Sequence, residues 1–298
     1  MNKELIVIAG PTAVGKTALS IAIAKNLNTE IISADSRQIF KELKIGTAVP
    51  SPDELAEVKH HFIQSISIHD YYNASKYEDD VNLLLDELFL KYDRVILSGG
   101  SGLYIDAVCK GIDNLPAIDP IVRAKIQQQF DNDGIESLLE DLLKLDPDSF
   151  NKIDLDNPKR VQKALEISVI TGKPYSSFLT SPEKKRSYTI KKIALDMQRE
   201  ELYNRINSRV LKMMENGLLE EAGELYPLRK INALNTVGYK ELFEFFDKKT
   251  NLDDAVNKIQ SNTRKYARKQ LTWFRKDDKT KWFHPLEFEK ITDYILEA

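Results

Sequence analysis

A single cysteine, Cys109, stands among 298 residues, which excludes an intramolecular disulfide framework and any zinc site built from several thiolates. Glycine and proline are sparse at 12 and 11, so the chain is neither collagen-like nor a linker-rich polymer. With 42% apolar and 30% charged residues it also falls outside the disordered class. No window reaches the roughly 18 consecutive apolar residues of a membrane span. The first apolar run, 5–9, stops at Gly10 and Pro11, too early for a secretory signal. The expected location is the cytoplasm, with no membrane partner. An excess of one charge is missing as well: 43 Lys and Arg against 46 Asp and Glu leave a formal charge of -3, so any polyanionic partner must be met by a local patch. His60, His61, His69 and His284 show no metal-ligand spacing and read as structural or surface residues.

No fixed-period repeat organises the chain, and three zones emerge from the apolar patterning. In residues 1–112, short runs rich in Ile, Leu and Val at 5–9, 30–34 and 94–98 alternate with helical patterns such as 17–27. Near-continuous apolar runs of this length suit strands covered on both faces of a parallel sheet. Residues 113–190 lose that pattern. Pro120, Pro147 and Pro158 each follow an Asp or Asn, which supplies an N-cap and a first helical position, and Gly172 with Pro174 ends the third helix. This zone reads as a helical insertion. Residues 191–298 return to the core, with a strand at 190–197 and a helix lined by Leu202, Ile206, Val210 and Met213. A later helix at 253–274 carries Val256, Ile259, Thr263, Tyr266 and Phe274 on its apolar side. The expected fold is α/β: a P-loop NTPase-like parallel sheet flanked by helices, interrupted by an all-helical domain.

The segment Gly10, Pro11, Thr12, Ala13, Val14, Gly15, Lys16, Thr17 fits G-x-x-x-x-G-K-[ST], after a strand and at the start of a helix, as the motif requires. Its backbone N–H groups and the helix N-terminus cradle phosphate, Lys16 adds a point charge, and the Thr17 hydroxyl can ligate Mg²⁺. The strand that in nucleotide hydrolases ends in a Mg²⁺-binding carboxylate ends here in Gly99, Gly100 and Ser101. A carboxylate follows the second strand instead. Asp35 is therefore the candidate general base, although a lone aspartate after a strand more often caps a turn. Arg205 and Arg209 share one helical face and could meet a pyrophosphate from the side opposite the loop; solvated arginines are the commoner outcome of that spacing. Residues 264–282 hold eight Lys or Arg and two Asp, with Tyr266, Trp273, Phe274 and Trp282 interleaved. Arg264, Arg268 and Arg275 form one row and Lys265, Lys269 and Lys276 another. Such a patch suits a phosphate backbone, and equally an ordinary solvated face with its aromatics turned inward.

The blocks GPTAVGKT, SADSRQIF, IGTAVP, SGGSGLY, LPAIDPIVRAKI, NPKRVQKALEI, LYNRINSRVLKMMENGL, NTVGYKEL and RKYARKQLTWFRK together resemble the tRNA isopentenyltransferase family, in that family's order and over nearly the whole chain. The resemblance implies transfer of a dimethylallyl group from dimethylallyl diphosphate to N6 of adenine 37 in the anticodon stem-loop of tRNAs that read codons beginning with U. It makes Asp35 the base, with Lys16, Thr17, Arg209 and Ser101 completing the catalytic set, residues 10–17 and Arg209 holding the diphosphate, and Mg²⁺ at Thr17. Its tRNA contacts fall on Asp35, Ser36, Arg37, Gln38, Ser101, Arg123, Lys159, Arg160, Val161, Gln162, Lys163, Gly238, Tyr239 and Lys240. The target base must be flipped into a channel. Position 101 is Ser where the family most often has Thr, and position 163 is Lys where Arg is usual, so bidentate phosphate contact does not carry over there. A monomer is expected. The rival reading is a P-loop kinase of nucleotides or small metabolites. Prenylation of free adenine nucleotides and plain RNA binding are further alternatives, the last leaving Lys16 and Asp35 without purpose.

Overall fold

A computed structural model describes residues 3–113, 115–116, 119–179 and 183–297. Its strands are β1 (Glu4–Ala9), β2 (Ile31–Ser33), β3 (His60–His61), β4 (Arg94–Gly99), β5 (Thr189–Leu195) and β6 (Lys281–Phe283). The helices are α1 (Lys16–Leu27), α2 (Pro52–Glu57), α3 (Ala74–Leu88), α4 (Gly102–Lys110), α5 (Pro120–Leu145), α6 (Pro147–Lys152), α7 (Pro158–Thr171), α8 (Arg199–Glu215), α9 (Leu218–Leu225), α10 (Tyr239–Phe246), α11 (Leu252–Phe274) and α12 (Phe288–Leu296). The strands form one sheet in the order β3-β2-β4-β1-β5-β6, every pairing parallel. Leu5, Ile6, Ile8, Val95, Ile96, Leu97, Ile193 and Leu195 are fully buried, which is why these runs read as continuous rather than alternating. At one edge of the sheet the strands end in Gly10, Ala34, Gly100 and Asp196, and in an open parallel sheet that edge is where ligands bind.

The chain divides into two compact units. One comprises Met1–Lys110 with Lys185–Ala298, the other Gly111–Lys184. The sequence places the return to the core at 191, where apolar alternation resumes, yet Arg186 already belongs to the larger unit: its guanidinium donates to Glu78, 2.8 Å away and 2% exposed, and to the carbonyl of Ala107. In the smaller unit Asp119 and Asp146 cap their helices through Ile121 and Ser149 N–H as expected, whereas Asn157 makes no side-chain cap. Gly172 takes the left-handed conformation that ends α7. Gly134 (φ 77°) breaks α5 into two pieces, a bend its helical pattern does not announce. Val122, Ile126, Leu138, Leu142, Val161 and Leu165 form this unit's own core.

In the larger unit Leu202, Ile206 and Val210 of α8 are buried as the spacing predicts, the first two in the core around the sheet and Val210 in a second cluster against which Met213 packs. On α11 the buried face is Ala255, Ile259, Ala267, Gln270 and Phe274. Tyr266, predicted on that face, is 41% exposed and lines a cleft. Strand ends meet tightly there. A Cβ added at Gly99 would lie 2.2 Å from the carbonyl oxygen of Ala34, so Gly99→Ala must push the ends of β2 and β4 apart. We expect that substitution to lower unfolding stability by about 1–3 kcal/mol in urea titration.

Candidate active site

The loop between β1 and α1 folds as its glycines permit. Gly10 (φ 149°), Ala13 (φ 65°) and Gly15 (φ 108°) have positive φ, and a Cβ at Gly10 would meet the carbonyl of Leu195 at 3.0 Å. Pro11 and Val14 are buried, Val14 within the core, so their part in holding a ligand falls to the backbone. Lys16 Nζ donates to the carbonyl oxygen of Pro11 at 2.7 Å. Burial pushes its pKa down to about 7, helped by the charge of Arg209 and opposed by that of Asp35. Arg209 is likewise lowered by burial. Neither cation makes an ion pair among the described residues, and Arg209 reaches only the Thr12 hydroxyl, at 3.3 Å. Arg205, one turn earlier, pairs with Glu201 at 2.9 Å. The two arginines that the spacing made equivalent both line the cleft but differ in their partners: Arg209 reaches the loop without an ion pair, with Glu54 and Asp35 the nearest opposite charges, and Arg205 is paired with Glu201 on its own helix.

Two buried cations without ion pairs, beside the N–H groups of the loop, form a receptor for a polyphosphate. Because free Lys16 loses its proton near pH 7 and a bound anion restores it, pyrophosphate binding should weaken as pH rises above 7. The expected loss is up to about tenfold in Kd per pH unit between pH 7 and 9, relative to Lys16→Met, in which only the ligand's own titration remains. Calorimetric titration across that range checks it.

Asp35 follows β2. Its Oδ1 accepts from Arg37 N–H at 2.8 Å and Gln38 N–H at 3.2 Å, so the turn-capping role is real, and it leaves Oδ2 as the oxygen available to the cleft. Ser101 is buried, and its Oγ accepts from Ser36 N–H at 2.9 Å, fixing the same segment from behind. The Arg37 guanidinium is committed too, donating to the carbonyls of Asn232 and Ala233, while Gln38 Nε2 donates to the carbonyls of Thr47 and Ala48. Of the expected contact residues, Arg37 and Ser101 thus act first as struts.

The loop at 44–46 is held by a carboxylate that sequence reasoning missed. Glu221 on α9 accepts from the N–H groups of Lys44, Ile45 and Gly46, and from the Tyr239 hydroxyl at 2.6 Å. Tyr239, expected to touch RNA, has a fully buried side chain; its ring fills the space that a Cβ on Gly46 would need, 2.6 Å away. Gly238 N–H donates to Glu241, and Gly238 and Lys240 reach the cleft. The cleft, about 1120 Å³, gathers residues 12–13, 15–17, 35–38, 46–50, 98–100, 235–238, Arg209, Lys240, Tyr266 and Gln270. Among the described residues no three His, Cys, Asp or Glu converge as a metal cage. A cation here would rest on the Thr17 hydroxyl, ligand phosphates and water, the oxygen set that Mg²⁺ favours.

A family model described as IPP transferase matches residues 38–277. The chain belongs to that family. Among its relatives, tRNA dimethylallyltransferase 2 of Azobacteroides pseudotrichonymphae is 55% identical over 99% of this chain and 97% of its own length. The full-length tRNA isopentenylpyrophosphate transferase of Bacillus halodurans superposes with TM-score 0.72 at 34% identity, covering 98% of this chain and 95% of that one. A eukaryotic dimethylallyltransferase solved acting on tRNA gives TM-score 0.75 at 26% identity, over 91% of this chain and 69% of that one. The fold is thus the P-loop NTPase-like architecture of the IPP transferases. No helix among the described residues is long and apolar enough to cross a membrane.

Outside the cleft, this IPP transferase spends much of its basic surface on itself. On α11, Arg264 donates to Asn207 and Arg268 to the Tyr203 hydroxyl, while Arg275, just past its end, donates to Asp196 and lies over Trp282. The arginine row binds neighbouring elements, and the lysine row of Lys265, Lys269 and Lys276 is exposed. In the smaller unit Arg123 makes a two-point contact with Glu166 at 2.9 and 3.1 Å. Val161 is fully buried, because α7 turns that side chain into the unit's core. Gln162 donates to Gln127; Lys159 and Arg160 are exposed, and Lys163 has its pKa lowered by burial.

Proposed function

We propose that this protein is a tRNA dimethylallyltransferase that moves the dimethylallyl group of dimethylallyl diphosphate to N6 of adenine 37 in tRNAs reading codons that begin with U. The observation that carries the reading is the meeting, in one cleft, of Lys16 and Arg209, cations without an ion pair among the described residues, with Asp35 across the strand ends, while the cleft's other carboxylates, Glu54 and Glu201, are engaged by Ser51 N–H and Arg205. A diphosphate in the loop places its allylic C1 toward Asp35. The C1–O bond breaks, its electron pair leaves with the diphosphate, and Lys16, Arg209 and the loop N–H groups take up the added charge. Adenine N6, a poor nucleophile because its lone pair is delocalised, attacks C1 as Asp35 Oδ2 accepts its proton. Thr17 and the phosphates would hold Mg²⁺, which when bound supplies further positive charge. With no carboxylate ending β4, the site favours a leaving diphosphate over a split nucleotide.

The acceptor base enters flipped out of the anticodon loop, past residues 35–38, 46–50 and 235–240. Lys265, Lys269, Lys159 and Arg160 offer phosphate contacts. Affinity for tRNA should accordingly fall by about 30–100-fold between about 50 and 200 mM salt, and a flat response in filter binding would show that these basic residues do not hold tRNA phosphates. The reading itself is tested by incubating the protein with dimethylallyl diphosphate, Mg²⁺ and unmodified tRNA, then digesting to nucleosides. N6-dimethylallyladenosine from position 37 supports it. An unmodified digest contradicts it.

A further inference from the structure

Gln270 sits on α11 among side chains that pack into the core, yet it carries an amide and is 6% exposed. Both ends of that amide are used. Oε1 accepts from Thr12 N–H, inside the phosphate loop, at 2.9 Å, and Nε2 donates to the carbonyl oxygen of Gly100, after β4, at 2.9 Å. The fit is close, since a Cβ on Gly100 would lie 2.3 Å from Nε2. Thr12 is thereby held twice, by Gln270 at its N–H and by Arg209 at its hydroxyl. On the other side, the turn that accepts from Gln270 continues into Ser101, whose Oγ fixes Ser36 beside Asp35. A short covalent and hydrogen-bonded path therefore runs from the phosphate loop through one glutamine to the candidate base. Only a side chain that carries both a donor and an acceptor can bridge an N–H and a carbonyl together.

We propose that Gln270 is a positioning residue that locks the phosphate loop to the β4 turn and so sets the separation between the leaving diphosphate and Asp35. The proposal rests on the prenyl-transfer reading for its catalytic half. Gln270 touches no reacting atom. Its loss lets the loop drift from the base, so the allylic carbon of a bound diphosphate is no longer aligned with adenine N6. Water then competes: the C1–O bond still breaks with its electron pair going to the diphosphate, a water oxygen bonds C1 and sheds a proton, and dimethylallyl alcohol forms without transfer.

Gln270→Met, which keeps the length and removes both hydrogen bonds, is the test, with Gln270→Glu, which keeps the acceptor and loses the donor, as the second variant. The expected result for Gln270→Met is a Kd for inorganic pyrophosphate raised about tenfold, a kcat for transfer lowered about 30-fold or more, and more alcohol released per transfer. Affinity for tRNA should stay within about twofold. Gln270→Glu keeps the Thr12 bond but sets a carboxylate beside the phosphate loop and against the Gly100 carbonyl, so it should bind pyrophosphate no better than Gln270→Met. Equal losses in pyrophosphate and tRNA binding would mark a merely structural residue and overturn the proposal, as would unchanged pyrophosphate binding with unchanged turnover. If the parent protein transfers no prenyl group at all, the prenyl-transfer reading fails, while the pyrophosphate Kd of the two variants still decides whether Gln270 organises the loop.

Discussion

Asp35→Asn is expected to lower kcat for prenyl transfer by about 10²–10⁴-fold while tRNA binding persists, the range by which a positioned general base accelerates proton transfer. The substitution is clean because asparagine keeps an oxygen where Oδ1 accepts from Arg37 and Gln38 N–H, so the turn survives. What goes is the basicity of the second oxygen. Single-turnover transfer with tRNA in excess reads the loss, and filter binding shows whether the RNA still docks. A variant that turns over at the parent rate would return Asp35 to its turn-capping role and leave the proton without an acceptor.

Lys16→Ala should cost about 10²–10³-fold in kcat and raise the KM for dimethylallyl diphosphate, since it removes a cation that holds the bound diphosphate and meets the further charge that develops as the C1–O bond breaks. Stability separates this from misfolding. Lys16 is held near pH 7 by burial, so the folded, ligand-free protein gives up a proton that the unfolded chain retains up to its ordinary pKa of 10.5. The parent therefore gains stability as pH rises from 7 toward that value, and the variant escapes the strain altogether. We expect its unfolding temperature at pH 7 to be no lower than the parent's, measured by calorimetry. A variant that melts early would owe its lost activity to the fold instead.

The legible parts of this molecule were those written locally. The phosphate loop occupies eight consecutive residues, and its glycine conformations, its strand and its helix are all as the motif demands. The long strands announced themselves because both their faces are covered. β3 and β6, two and three residues long, are too short to leave a pattern and exist only because β2 and β5 pair with them. Side chains that act across the chain were invisible. Gln270 meets a residue 258 positions away, and Glu221 holds a loop 175 positions away, and nothing in their neighbourhoods says so. Contiguous blocks also do not tell which side chains face inward. Val161 and Tyr239 sit inside segments matched to RNA contact, and their side chains are in the core. Charge counting over 264–282 likewise saw eight cations, where the structure ties Arg264, Arg268 and Arg275 to neighbouring elements and leaves Lys265, Lys269 and Lys276 with contacts, where they have any among the described residues, only to α11.

The central claim is that the cleft ionises an allylic diphosphate and delivers the carbon to a tRNA adenine. One experiment addresses it directly: the purified protein with Mg²⁺ and labelled dimethylallyl diphosphate, offered unmodified tRNA in one reaction and free AMP in another, beside a reaction with labelled ATP and nucleotide acceptors. The account predicts label in tRNA, none in AMP and no phosphoryl transfer from ATP. Label in AMP, or phosphoryl transfer without prenylation, would contradict it and require another purpose for Asp35 and the lysine face of α11.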